Sequence, residues 1–291
     1  MDQFQTCELA SRYLDEAKQH PSSLEHVVAT HINLNFHHFD AAFTEAARAI
    51  ALDPNDPEAS VAMAWVMLTM GRSQAALEFM QTATRLNLSS PSHYALARGL
   101  ALFSSGALAE AARVFEQAME SRPTAIEPAP PLAATYAQLG RRQEARDMLL
   151  RWKPGASSEE LSDIALAYPY TYRSSPDGQK ALDRLTDGMI IAALPLDVTV
   201  PELADALQKG GPFERAHTAR TLGRFGPLAA EAVPALVRAL GDASPVVRGA
   251  AIAALGKIGA KAKLAIPALS AIQDDEFRVM AKDAVNAIEE N

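Results

Sequence analysis

The side chains in this sequence best suited to chemistry are a run of histidines, one cysteine and a stripe of cations. His20, His26, His31, His37 and His38 fall close together near the start of the chain. Imidazoles hold transition metals or move protons near neutral pH, provided their spacing lets them converge. His26 and His31 are five residues apart, a poor spacing for a shared metal on a helix, and no carboxylate pattern completes a set. They read as surface or turn histidines. Cys7 is the single cysteine, so neither an internal disulfide nor a paired-cysteine metal knuckle forms. Only Arg12 stands near enough in sequence to activate its thiol. There is no Gly-x-Ser-x-Gly, no glycine-rich phosphate loop and no His-Glu-x-x-His. The residues therefore point to no catalytic, cofactor or metal site, and an enzyme is the least expected class.

The cations are more suggestive. Between 215 and 263 stand Arg215, Arg220, Arg224, Arg238, Arg248, Lys257, Lys261 and Lys263, against Glu231 and Asp242. Arg215, Arg220, Arg224 and Arg248 are the candidate contacts for an anion or an acidic partner. A stripe with no interleaved aromatic except Phe225 is a modest sign of phosphate recognition, and a solvated face is the weightier reading. Charge elsewhere argues the same way. The chain carries a formal net charge of -8, and residues 1–199 hold 16 basic against 24 acidic side chains. Bulk nucleic-acid binding by that stretch is not expected.

The elements that must position these residues are helices. Gly71, Gly106 and Gly140 are 35 and 34 residues apart, and each follows an apolar helical run. A period near 34 means stacked helix pairs. A second period follows residue 200: Leu222-Gly223 returns as Leu255-Gly256, and Pro234 as Pro267, each shifted by 33. Hydrophobic content of 48% and charged content of 21% suit a folded chain, and 291 residues suit two domains. The N-terminus lacks a secretory pattern, and the apolar stretch around Val61–Met70 is too short to span a bilayer. A soluble cytoplasmic protein with no membrane span is expected.

After Gly106 come Ala111, Phe115, Ala118 and Pro123, with Gly99 seven residues before it. Ala76 and Ala145 hold the position of Ala111 after Gly71 and Gly140, and Tyr136 precedes Gly140. One period before Gly71 stands His37, followed by Ala42, Ala49 and Pro54. This pattern resembles a tetratricopeptide array of about four units, the first degenerate. Small residues at Ala42, Ala76, Ala111 and Ala145 let paired helices approach, and the three glycines supply left-handed turns. Pro91 falls late and implies an insertion. Glu127-Pro128-Ala129-Pro130-Pro131 implies a helix starting late, near Leu132. The resemblance places a concave groove on Val61, Trp65, Leu68, Leu96, Leu100 and Phe103, with Val27, His31, Leu34, Ala134, Ala137 and Gln138 extending it. The groove lacks the cations that would grip a C-terminal carboxylate. It suits an amphipathic helix or an apolar segment, unless the array's own next helix or the linker fills it.

Ser157-Ser158-Glu159-Glu160 reads as a helix start, with an end at Tyr168-Pro169. A second helix runs from about Gln179 to Leu194, after a Ser-Pro-Asp-Gly loop. Tyr168-Pro169-Tyr170 and the run Asp187 to Pro195 resemble the tail after the tetratricopeptide repeats of bacterial class III adenylate/guanylate cyclase regulators. That likeness covers residues 12–196 and implies a regulatory module for a separate catalytic partner.

Ala-Val-Pro-Ala-Leu at 232–236 returns as Ala-Ile-Pro-Ala-Leu at 265–269, with Asp242 and Val247-Arg248 ahead of an alanine-rich helix. This is similar to short bacterial HEAT repeats of the phycobilisome-lyase type, in which the turn aspartate and helix arginine bond to neighbouring units. The last unit departs from the pattern, with Met280-Ala281 where Val-Arg should stand.

The expected fold is all-α, a double α-solenoid: a tetratricopeptide array over 1–155, a two-helix connector over 156–199 and a HEAT array over 200–291. The expected function is that of a non-catalytic scaffold or adaptor. An apolar helix or segment would bind in the first groove and a more acidic protein on the second array. A regulatory module of a cyclase-type system and a nucleic-acid-binding HEAT protein are the alternatives. A second copy of the chain is a further possible partner.

Overall fold

The computed structural model describes residues 22–89, 92–122, 127–158, 160–161, 165, 175–195 and 197–290. Cys7, Arg12, His20, Pro91, Pro123 and the Tyr168-Pro169-Tyr170 motif lie outside these, as does most of the helix expected after Ser157. The described residues are helical with short turns and contain no strand. They divide into two compact units, Met1–Thr135 with Ala167–Thr186, and Tyr136–Leu166 with Asp187–Asn291.

In the first unit α1 (Ser23–Asn35), α2 (Phe39–Leu52), α3 (Pro57–Thr69), α4 (Ser73–Leu86), α5 (Ser92–Ser105) and α6 (Leu108–Ser121) form three antiparallel pairs. Helices α1 and α3 start at side-chain caps. Ser22 and Asp56 accept from the backbone N–H groups of Glu25 and Glu58 at 3.2 and 2.9 Å, and Pro57 opens α3. Ala42, Ala76 and Ala111 are fully buried where the paired helices touch. Gly71 and Gly106 turn the chain between partners with φ of 70° and 87°. His37, one period before Gly71, makes the same turn at φ 60° and is the only described non-glycine residue with positive φ.

Beyond them come α7 (Ala129–Gln138) and α8 (Arg142–Trp152), with Gly140 between them at φ 79°. Helix α7 begins at Ala129, three residues earlier than the prolines suggest. Pro130 and Pro131 sit in its first turn, where backbone N–H groups have no intrahelical acceptor anyway. The first N–H to donate inward is that of Leu132, to the Pro128 carbonyl at 3.0 Å. Helix α9 (Pro176–Ala193) likewise starts three residues before the expected Gln179, because Ser175 caps it and Pro176 takes its first position. Its first eleven residues count with the first unit and the rest with the second.

The second unit holds α10 (Val200–Ala206), α11 (Pro212–Arg224), α12 (Val233–Ala239), α13 (Pro245–Ile258), α14 (Ile266–Ser270) and α15 (Asp275–Glu290). Tight 3-10 segments, Gly226–Ala232 and Gly259–Ala265, precede α12 and α14, with the same bend at Ala229 and Ala262. Helices α11, α13 and α15 stack as one layer. The stacking is close because Gly223 backs onto Ala254, and Gly256 onto Ala284. Those partners are 30 residues apart, not 33, so the last repeat is shortened. Phe277-Arg278 therefore occupies the Val-Arg position, with Phe277 buried as Val247 is, and Met280-Ala281 does not.

Candidate protein-interaction surfaces

The expected groove residues lie on α3 and α5, on the inner layer where α1, α3 and α5 stack. The sequence leaves open whether this groove is accessible or filled by the chain itself, and exposure separates the residues into two sets. Val61, Leu68 and Leu100 are each 1% exposed and Phe103 is fully buried, so these four are interior packing. Trp65 and Leu96 are half-buried and keep an outward edge. The signal was present in α3: from Ala59 to Thr69 every residue but Trp65 is buried, as its apolar composition on all sides demands.

Part of the covering is the chain's own helix. Within the first unit, Ser175 Oγ donates to the Met70 carbonyl at 2.7 Å. Gly178 then packs on Gly71, so closely that a Cβ on Gly71 would stand 2.5 Å from the Gly178 nitrogen. One further turn along, the Arg184 guanidinium lies over the Phe103 ring, 5.5 Å from its centroid. Burial there pushes the Arg184 pKa down. Ala181, Leu182 and Leu185 are buried on the same helix.

Polar groups tie the first unit's repeats together. Ser23 Oγ donates to Asp56 Oδ2 at 2.5 Å. Glu58 accepts from the Tyr94 hydroxyl at 2.7 Å and faces His93 Nε2 at 3.1 Å. Burial first, and the bond to Glu58 second, push the Tyr94 pKa up to about 12. Two of the N-terminal histidines are accounted for by packing. His26 Nδ1 pairs with Glu45 at 2.6 Å, and burial pushes the His31 pKa down. No group of three His, Cys, Asp or Glu suited to a metal occurs among the described residues.

In the second unit the basic stripe resolves into structural cations at repeat positions. Arg215 grips Asp242 with two bonds of 2.9 Å, and its equivalent 33 residues on, Arg248, reaches Asp274 at 3.4 Å. Each aspartate also caps its own turn, Asp242 from Ser244 N–H and Asp274 from Glu276 N–H. The hydrogen bond from Arg215 holds the Asp242 carboxyl below the usual carboxylate range. Arg224 and Lys257, again 33 apart, converge on Asp187 at 3.7 and 2.5 Å. Of the four arginines expected to meet an anion or an acidic partner, Arg215, Arg224 and Arg248 are thus already paired. Arg220 is exposed and has no charged partner among the described residues. Arg238, Lys261 and Lys263 are exposed likewise.

Sequence reasoning missed one pair altogether. Arg142 and Arg146 on α8 close the C-terminal end of α9. Arg142 donates to the carbonyls of Val198 at 2.5 Å and Pro195 at 2.8 Å, and Arg146 to Ala193 at 2.7 Å and Leu194 at 3.2 Å. Helix carbonyls at that end have no intrahelical donor, and the helix dipole favours a cation. Nothing in the local sequence marks two arginines of α8 for this role, since their acceptors lie about fifty residues away.

Residues 36–100 match the tetratricopeptide repeat family, and residues 200–289 match HEAT repeats. The chain is thus an all-α repeat protein carrying both repeat types. Among solved structures it is similar to PilW, a widely conserved type IV pilus biogenesis factor, at 14% identity, covering 73% of this chain and 90% of that one with a TM-score of 0.49. It is also similar to Pseudomonas aeruginosa pilF, at 17% identity, covering 81% of this chain and 96% of that one with a TM-score of 0.44. MamA matches at 17% identity, covering 58% of this chain and 89% of that one with a TM-score of 0.40. No curated protein matches. No helix among the described residues is long and apolar enough to cross a membrane.

Proposed function

We propose that the chain is a non-catalytic scaffold that holds partner proteins on its two kinds of repeat. The observation that supports this best is the inner face of the first unit, which already carries one helix, the start of α9, against α3 and α5. A stacked-repeat surface shaped for a helix is a binding element, and repeat arrays present such faces as a matter of construction. Partner contact falls on the edge that stays accessible, Trp65 and Leu96, where an apolar helix or segment would lie. On the HEAT array, Arg220 with Arg238, Lys261 and Lys263 is the cationic set left over for a more acidic protein. Two such sites on one chain raise the effective concentration of either partner for the other. The location proposed for this work is the cytoplasm.

The test is site-specific photo-crosslinking in the native cell. Positions 65, 96 and 220 each receive a photoreactive residue, with exposed Leu88 as the control. Discrete protein adducts from positions 65 or 96, absent from position 88, are the expected result. Adducts at none of the three overturn the reading, and a nucleic-acid adduct at position 220 replaces it with the nucleic-acid alternative.

A further inference from the structure

We infer that the first part of α9, Ser175–Thr186, is an exchangeable occupant of the first unit's inner face, and that its pattern describes the partner that replaces it. This rests on the scaffold reading and deepens it: the partner is an amphipathic helix presenting a small residue, then apolar residues three, four and seven positions on, with a cation at the sixth.

The pattern is read from Gly178, Ala181, Leu182, Arg184 and Leu185. Gly178 lies against Gly71, where a side chain has no room. Ala181, Leu182 and Leu185 supply the buried stripe, and Arg184 stacks on Phe103. A partner helix with these residues would make the same contacts.

Exchange is favoured by how unevenly α9 is anchored. From Gly188 to Ala193 six successive residues are buried, and Arg142 and Arg146 hold the end. The first eleven residues bury only Gly178, Ala181, Leu182 and Leu185, while Pro176, Asp177, Gln179, Lys180 and Asp183 are exposed. Gly188, between the two halves, weakens the helix there relative to alanine. The segment is therefore held along one face only, by Ser175, Gly178, its apolar stripe and Arg184, while the second half is buried all round and tied at its end, so the first half can leave without the second. Its tether makes it a strong competitor, because a linked segment acts at millimolar effective concentration.

The experiment uses the full chain and a fluorescein-labelled synthetic peptide of residues 175–194. Leu182→Asp with Leu185→Asp ejects the resident segment. That variant is expected to bind the peptide about tenfold or more tighter than wild type, since the competing occupant is gone. A scrambled peptide serves as control. Equal affinity for the two chains, or binding to neither, overturns the inference. Should the variant lose its helical circular dichroism, hydrogen exchange on the wild-type chain decides. Saturating peptide should speed exchange of the 176–186 amides about tenfold and leave 189–193 unchanged. Unchanged exchange at 176–186 overturns the inference. Neither arm contains a cellular partner, so failure here leaves the crosslinking result, and the scaffold reading, standing on their own.

Discussion

Gly99 of α5 lies directly against the ring of Phe115 on α6: a methyl group at Gly99 would stand 2.5 Å from Phe115 Cζ. The ring is fully buried and has nowhere to retreat. Gly99→Ala should therefore destabilise the chain by about 2 kcal/mol through overpacking. Phe115→Leu alone should also cost stability, but adding it to Gly99→Ala should recover part of the loss. Urea denaturation of the two singles and the double measures this coupling. Additive losses would show that the two side chains do not compete for one space.

His37 adopts a left-handed backbone that costs an ordinary residue about 1 kcal/mol or more. Gly71 occupies the equivalent turn without that cost. His37→Gly should raise stability by roughly 0.5–1 kcal/mol, less whatever the edge contact of the His37 ring with Phe39 contributes. Gly71→Ala should act in the opposite sense and more strongly, since it adds both strain and overlap with Gly178. Thermal melts of the two variants would reveal whether the signs differ as stated.

The Arg215–Asp242 seam should be felt in the pH dependence. Arg215 keeps its charge throughout, so Asp242 is the group that titrates. Its folded-state pKa lies below its unfolded value, so its stabilising contribution is present above the ordinary carboxylate range and lost as pH falls through it. Asp242→Asn should melt below wild type at neutral pH, and the gap should narrow below about pH 4. A gap constant with pH would mean that the charge is not what joins the repeats.

Arg142→Ala should loosen the end of α9 and cost about 2 kcal/mol, the scale of losing two charge-assisted bonds to backbone carbonyls. Lysine should not restore it, because two carbonyls, of Val198 and Pro195, are met by one planar guanidinium. Burial, with Arg146 nearby, also pushes the Arg142 pKa down, so an added cation at Arg146's side would worsen matters. Denaturant midpoints for the alanine and lysine variants provide the comparison.

Phe103→Asp and Trp65→Asp should part company. The first removes a fully buried ring and puts a carboxylate in its place beneath Arg184, and should unfold the first unit at a cost of several kcal/mol. The second alters a half-buried edge and should leave most of the helical signal. Circular dichroism melts of each separate the two outcomes.

Turns proved the most readable part of the sequence. Glycine at a 34-residue period means a left-handed residue, and Gly71, Gly106 and Gly140 all adopt one. His37 holds the corresponding place in the period and shares the conformation, though a histidine there gives no sign of it. The prolines misled at Pro130-Pro131, because a helix interior and a helix first turn make opposite demands on the same residue. The shortened last repeat misled for a similar reason: a fixed shift of 33 points to Met280-Ala281, while packing of Gly256 on Ala284 selects Phe277-Arg278. The groove residues lie on α3 and α5, yet part of the cover over Phe103 comes from Arg184, some eighty residues further on. Contacts of that range leave no periodic trace.

The Arg215–Asp242 and Arg248–Asp274 pairs also make the HEAT array extensible. Each arginine meets the turn aspartate of the following repeat, and Arg278, at the last such position, turns instead to Asp275 in its own helix at 3.2 Å. A duplicate of residues 226–258 spliced in after Ile258 would present an aspartate to the arginine before it and an arginine to the aspartate after it. Every junction would be of a kind the chain already contains. The array behaves as a cassette that lengthens by whole repeats.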